Sequence, residues 1–98
     1  MRFPSIDEPP PAYRVKIEAP AWKQLMALPI SLQERLMNAV EKLEDEPRSA
    51  GCTKLSGADN YYRIRVGDYR IVYEIHDEAL IVLLVRVAHR REVYRSQN

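Results

Sequence analysis

The stretch Tyr62-Arg63-Ile64-Arg65-Val66-Gly67-Asp68-Tyr69-Arg70-Ile71-Val72-Tyr73 alternates apolar and mostly basic residues on either side of Gly67-Asp68. Two alternating runs joined by a two-residue Gly-Asp loop predict a β-hairpin, because glycine supplies the positive φ that the first turn position requires. The loop length sets the register: Val66 faces Tyr69, Ile64 faces Ile71 and Tyr62 faces Tyr73. On the other face Arg65 falls across from Arg70, with Arg63 beside them. Like charges directly opposite on a sheet destabilise it. The pairing therefore calls for an anion between the two side chains. Guanidinium forks bind phosphate in bidentate fashion, and several on a rigid sheet match a phosphodiester backbone. The competing reading is plain solvated charge, which fits any one of these arginines better than it fits the Arg65/Arg70 pair.

Working outward from the hairpin toward the N-terminus, residues 48–60 carry Gly51 and Gly57 and read as a loop. Before it, Leu32, Leu36, Ala39, Val40 and Leu43 fall on one face of a helix that Ser31 and Glu34 open as a capping box and that stops before Pro47. Trp22, Leu25 and Met26 give a short preceding helix, begun at Pro20, an apolar stripe for the core. Met37 joins that core. Residues 12–18 alternate Tyr13, Val15 and Ile17 against Arg14, Lys16 and Glu18, the pattern of a half-buried first strand. Residues 1–11 hold Pro4, Pro9, Pro10 and Pro11 without periodicity and read as an extended arm.

On the C-terminal side, His76-Asp77-Glu78 turns the chain into a run over 79–87 that is apolar on both faces. Leu80, Val82 and Leu84 point one way, and Ile81, Leu83, Val85 and Val87 the other, so this strand belongs inside the sheet. Arg86 interrupts it and reads as structural, a partner for Glu74 or Asp68. One helical layer cannot cover both faces, which leaves the second face to a partner, the C-terminal tail or solvent. The predicted fold is α+β: one small domain over 12–98, in the order β-α-α-β-β-β. It is a mainly antiparallel four-stranded sheet with a helical hairpin on one face.

Ninety-eight residues suffice for one modest core, and 46% hydrophobic with 30% charged residues is a globular composition. Residues 1–47 hold 6 Lys/Arg against 8 Asp/Glu, and residues 48–98 hold 9 against 6, so the basic excess travels with the hairpin. A net charge of +1 is too small for tight nonspecific coating of nucleic acid, and points to focal contact. The single cysteine, Cys52, excludes an internal disulfide and suits a reducing compartment. No apolar run is long enough to span a membrane, so a cytoplasmic protein without a membrane partner is expected.

If the arginine face binds RNA, Arg63, Arg65 and Arg70 can hold the scissile phosphate and its neighbours while Arg90 neutralises the transition state. No metal or other cofactor is needed, because RNA brings its own nucleophile in the 2′-hydroxyl, and the residues for a zinc or two-metal centre are missing. Protons must still move, and the candidates are Tyr94, His89 and Glu74. Surrounding positive charge would lower the Tyr94 phenol toward a usable base, and His89 is offered because histidine is the side chain type that ordinarily exchanges protons near neutral pH. Tyr61 and Tyr94 can stack unpaired bases.

The stretch Lys54-Leu55-Ser56-Gly57, the hairpin block and the ending His89-Arg90-Arg91-Glu92-Val93-Tyr94 resemble the RelE/ParE toxin superfamily over residues 13–95. Its RelE-type members are ribosome-dependent mRNA endonucleases neutralised by a cognate antitoxin; its ParE-type members share the fold and poison DNA gyrase. The resemblance implies a toxin that cleaves mRNA in the ribosomal A site, leaving a 2′,3′-cyclic phosphate and a 5′-hydroxyl. Operator DNA would be met only through a toxin-antitoxin complex. Carried residue by residue, the resemblance makes Arg70 and Arg90 phosphate and transition-state stabilisers, Arg63 and Arg65 stabilisers of charge at the attacking oxygen, and Tyr94 the stacking or proton-transfer residue. His89 completes a basic pair with Arg90, while Lys54, Tyr61, Arg91 and Arg95 are placed along the RNA. Lysine is common in the family where Arg63 and Arg65 stand, and the proline-rich arm departs from its pattern. The alternatives are a ParE-like gyrase inhibitor and a catalytically silent antitoxin-binding module.

Overall fold

The computed structural model describes residues 12–49, 51–55, 60–89 and 91; the arm read at 1–11 lies outside them. The elements are β1 (Arg14–Ile17), α1 (Ala19–Met26), α2 (Ile30–Lys42), β2 (Thr53–Lys54), β3 (Tyr61–Val66), β4 (Tyr69–His76) and β5 (Ile81–His89). The strands form one sheet in the order β1-β5-β4-β3-β2. All pairings are antiparallel except β1 with β5, which is parallel, so the sheet is mixed. The loop expected at 48–60 thus contains a fifth strand, too short at two residues to leave a periodic signal.

The β3–β4 register is the one the Gly-Asp loop requires, with Tyr62 opposite Tyr73, Ile64 opposite Ile71, Arg65 opposite Arg70 and Val66 opposite Tyr69. Gly67 sits at φ +61°, where a Cβ is strained. The helices cover one face of this sheet. Ala21 and Leu25 of α1 and Leu36 and Val40 of α2 pack with Leu43 onto Tyr62, Ile64, Ile71, Tyr73, Ile75, Val82, Leu84 and Val87. Burying each of the larger side chains is worth about 1.5–3 kcal/mol. The phenol of Tyr73, fully buried, donates to the Pro47 carbonyl at 2.6 Å, and burial raises its pKa.

Four local expectations are corrected. Trp22 and Met26 are 49% and 40% exposed, because a two-turn helix directs Ala21 and Leu25 at the sheet and these two neighbours lie roughly 100° round the helix. The capping box does not form: α2 begins at Ile30 after Pro29, leaving Ser31 inside its first turn with no side-chain cap. Gln33 instead donates to the carbonyl of Leu28 at 2.8 Å and of Met26 at 3.3 Å, tying α2 to the end of α1. In β5 a bulge at Val85 shifts the pairing from Tyr73↔Leu84 to Val72↔Arg86. Every residue beyond it changes face relative to simple alternation, and Val87 joins Val82 and Leu84 on the helix side.

Arg86 is the fourth correction. It pairs with neither Glu74 nor Asp68 among the described residues, and its Nε is buried without a hydrogen-bond partner there. His76 Nε2 lies 2.6 Å from Glu74 Oε1 instead.

Candidate functional site

The sheet face away from the helices can be read row by row from the register. At the hairpin end, Arg65 of β3, Arg70 of β4 and Ala88 of β5 lie side by side. The next row is Thr53, Arg63, Val72 and Arg86, taken from β2 to β5. Beyond it come Tyr61, Glu74, Leu83 and Lys16, then His76, Ile81 and Arg14. The first two rows thus hold four arginines and no carboxylate. Strands lie about 4.8 Å apart, so the backbones of Arg63 and Arg86, on either side of Val72, are separated by roughly 10 Å.

The four are differently held. Arg65 is exposed and Arg63 half-buried, and among the described residues neither forms an ion pair. Arg70 is 4% exposed beside the small Ala88 and is engaged rather than free, as a buried guanidinium must be. Arg86 keeps its unsatisfied Nε–H, and an unmade bond at a buried donor costs about 1–3 kcal/mol. An anionic oxygen supplied from outside would satisfy it. The sequence reading missed Arg86 as part of this face because only the bulge puts it there.

The third and fourth rows have a different character. Tyr61 and His76 both converge on Glu74; hydrogen bonding to that carboxylate, then its charge, raises the Tyr61 pKa. Tyr61 is thereby kept as a protonated phenol. Glu74, a candidate proton carrier, is already an acceptor for two neighbours.

Two expected residues lie elsewhere. His89 pairs with Tyr69 and packs edge-on against its ring at 5.3 Å, on the helix side of the sheet, while Arg91 donates its backbone N–H to His89 Nδ1 at 3.3 Å. Lys54 pairs with Tyr62, so it too shares the helix-side parity and not that of Arg63. Arg91 is exposed. Arg90, Tyr94 and Arg95 lie outside the described residues. Among the described residues no three His, Cys, Asp or Glu side chains converge as a metal site would require, and no helix is long and apolar enough to cross a membrane.

A second polar cluster stands at the far end of the sheet. Arg48 donates from Nη1 and Nη2 to both carboxylate oxygens of Asp77, at 3.0 and 2.7 Å, and from Nε to the Tyr62 hydroxyl at 3.1 Å. Tyr13 donates to Asp77 Oδ1 at 2.6 Å. The Arg48 hydrogen bonds, then that of Tyr13, lower Asp77 to a pKa of about 2. The cluster clamps the β4–β5 turn to the start of β1 and the end of the helical layer.

A helical hairpin packed on one face of a mixed sheet, with an arginine cluster on the other face, places the chain in a class of small α+β proteins whose family is given by its likeness to known proteins. The chain belongs to the ParE toxin family of type II toxin-antitoxin systems, whose model matches residues 15–94. It is 33% identical over 76 residues to toxin RelE3 of Methanocaldococcus jannaschii, covering 74% of this chain and 84% of that one. To the mRNA interferase toxin RelE of Escherichia coli it is 30% identical over 87 residues, covering 85% and 90%. Its structure superposes on RelE in the RelE-RelB complex of Pyrococcus horikoshii with a TM-score of 0.72 at 31% identity, covering 81% of this chain and 96% of that one. These likenesses support the RelE-type branch of the superfamily.

Proposed function

We propose that this chain is the toxin of a type II pair and an endoribonuclease that cuts mRNA in the ribosomal A site by attack of the 2′-hydroxyl. The observation that carries this reading is the pair of consecutive rows, Arg65/Arg70 and Arg63/Arg86, on the sheet face away from the helices, with no carboxylate among the described residues of those rows. In the reaction the 2′-oxygen bonds to phosphorus, the bond to the 5′-oxygen breaks, one proton leaves the attacking oxygen and one reaches the leaving oxygen. Arginine hardly deprotonates, so the four guanidinium groups act by charge: they hold the phosphate and stabilise its pentavalent form. Proton transfer falls to Tyr94, placed beside them by resemblance, with Arg90 adding to the charge. A metal ion has no step to perform.

Because relatives form RelE-RelB complexes, a cognate antitoxin is the proposed partner in the cytoplasm, along with the ribosome and its message. The antitoxin would neutralise the toxin by covering the arginine rows, and operator DNA would be bound through that complex.

The test is purified protein with programmed ribosomes, reading mRNA ends by primer extension. A-site cuts bearing 5′-hydroxyl ends, abolished by a 2′-deoxy substitution at the scissile nucleotide, are the expected result. Uncut message with wild-type protein of native circular dichroism overturns the reading. The match to a ParE family model favours one second reading, a gyrase inhibitor; in that case message stays intact and supercoiling by gyrase stops.

A further inference from the structure

The helix side of the hairpin holds a groove that neither the sequence reading nor the arginine rows absorb. It is about 490 Å³ and runs between α2 and β3, lined by Arg35, Asn38, Lys42, Ser49, Arg65 and the Gly67 turn among others. Three of the lining residues are cations, none is a carboxylate, and among the described residues none of the three has an ion-pair partner. The Arg35 guanidinium lies against Gly67, with Nη1 3.3 Å and Cζ 3.4 Å from where a Cβ would stand; this exposed side-chain tip need shift only slightly to admit one, so it is the positive φ that calls for glycine.

Arg65 joins this groove to the open face. By register it stands opposite Arg70, yet it also lines the groove. This is possible because β2 pairs only with Tyr62 and Arg63, so that among the described residues β3 has no neighbour beyond Arg63 on that edge. Cationic side chains therefore continue round the free edge from Arg63 and Arg65 to Arg35 and Lys42. Past Lys42 the sign changes: Glu41, Glu44 and Asp45 line the adjoining depression, and the path ends there.

Resting on the ribonuclease reading above, we propose that this groove is a second phosphodiester site, which takes the continuation of the single RNA strand held on the open face. The strand bends round the free edge of β3. Guanidinium and ammonium groups engage its phosphates there, while Asn38 and Ser49 offer neutral hydrogen bonds.

The test is fluorescence anisotropy with fully 2′-O-methylated RNA, which cannot be cut, using a trimer and a dodecamer over a series of salt concentrations. Arg35→Gln and Lys42→Gln are exposed helix substitutions between residues of similar helix propensity. Lys23→Gln on α1 serves as a charge control, and Arg63→Ala probes the open face. For single strands the slope of log K against log salt falls by about 0.7 for each lost phosphate contact. The Arg35→Gln/Lys42→Gln double variant is expected to lose about 1.4 from the dodecamer slope and to bind the trimer like wild type, with Lys23→Gln unchanged. An unchanged dodecamer slope, with Arg63→Ala weakening both RNAs, overturns the second site and leaves the ribonuclease reading standing, even if ribosome association falls. Failure of the wild type to bind either RNA also overturns the second site, while the ribonuclease reading is decided separately by cleavage on programmed ribosomes.

Discussion

Arg48 and Arg65 are the same residue type at opposite ends of one sheet, and they are used in opposite ways. Arg48 is matched: Asp77 takes two of its hydrogen bonds, Tyr62 a third, and Tyr13 reinforces the carboxylate. Arg65 is mismatched, set by the hairpin register across from Arg70, with Arg63 and Arg86 in the next row. Where the chain needs a fixed corner it closes its charges on each other. At the hairpin end Arg63 and Arg65 form no ion pair among the described residues and the Arg86 Nε–H has no acceptor there, which is what a site for an external polyanion requires.

The sharpest way to break this contrast is to remove charge from the open end. Arg65→Ala is expected to slow message cleavage by about 10²–10³-fold, the usual effect of losing one donor to a transition-state oxyanion. An activity unchanged by that substitution would reduce the rows to surface charge. Next in size, Gly67→Ala forces a side chain into the left-handed region and against Arg35, and is expected to lower stability by about 1–2 kcal/mol in urea unfolding. A loss much smaller than this would mean that the turn relaxes.

Arg65→Glu replaces like charges with opposite charges across the β3–β4 pair and is expected to raise stability by about 0.2–1 kcal/mol while abolishing cleavage. A fall in stability would show that the mismatch carries no cost to relieve. The smallest effect belongs to the closed end, because Arg48 and Asp77 are 45% and 55% exposed and surface pairs contribute little. Its signature is pH. Asp77 has a folded pKa of about 2, below its ordinary value of 3.8, so its contribution is complete above pH 3.8 and disappears as pH falls through about 2. Asp77→Asn should therefore be less stable than wild type at neutral pH, with the two curves converging below pH 2.

The contrast was only half legible in the sequence. The open end could be read because strand residues alternate with a period of two and a two-residue Gly-Asp loop admits one register, so Arg65 and Arg70 had to meet. Arg86 was misread because residues 79–87 are apolar at nearly every position. Such a run gives no parity signal, and the bulge at Val85 cannot be seen in it. The same bulge sends His89 to the Tyr69 side. The closed end was missed altogether. Arg48, Tyr13 and Asp77 lie in three separate stretches, and nothing local in any of them announces the other two. Trp22 shows the converse error, since a stripe on a two-turn helix is too short to fix which side faces the sheet.

The parallel pairing of β1 with β5 sets an order of assembly. Its first bridge joins Arg14 to Ile81, and the Arg14 N–H donates at 2.8 Å to the carbonyl of Leu80, itself in the left-handed region at φ 55°. Loop closure over such a separation is slow, whereas β3, β4 and β5 meet through short local turns. β1, made before β3, β4 and β5, is therefore the last of these four to find its place. On a translating ribosome the sheet cannot close until β5 has emerged, and Arg86, which completes the second arginine row, arrives with that same strand. Each nascent copy thus lacks its full cationic face until β5 has been made.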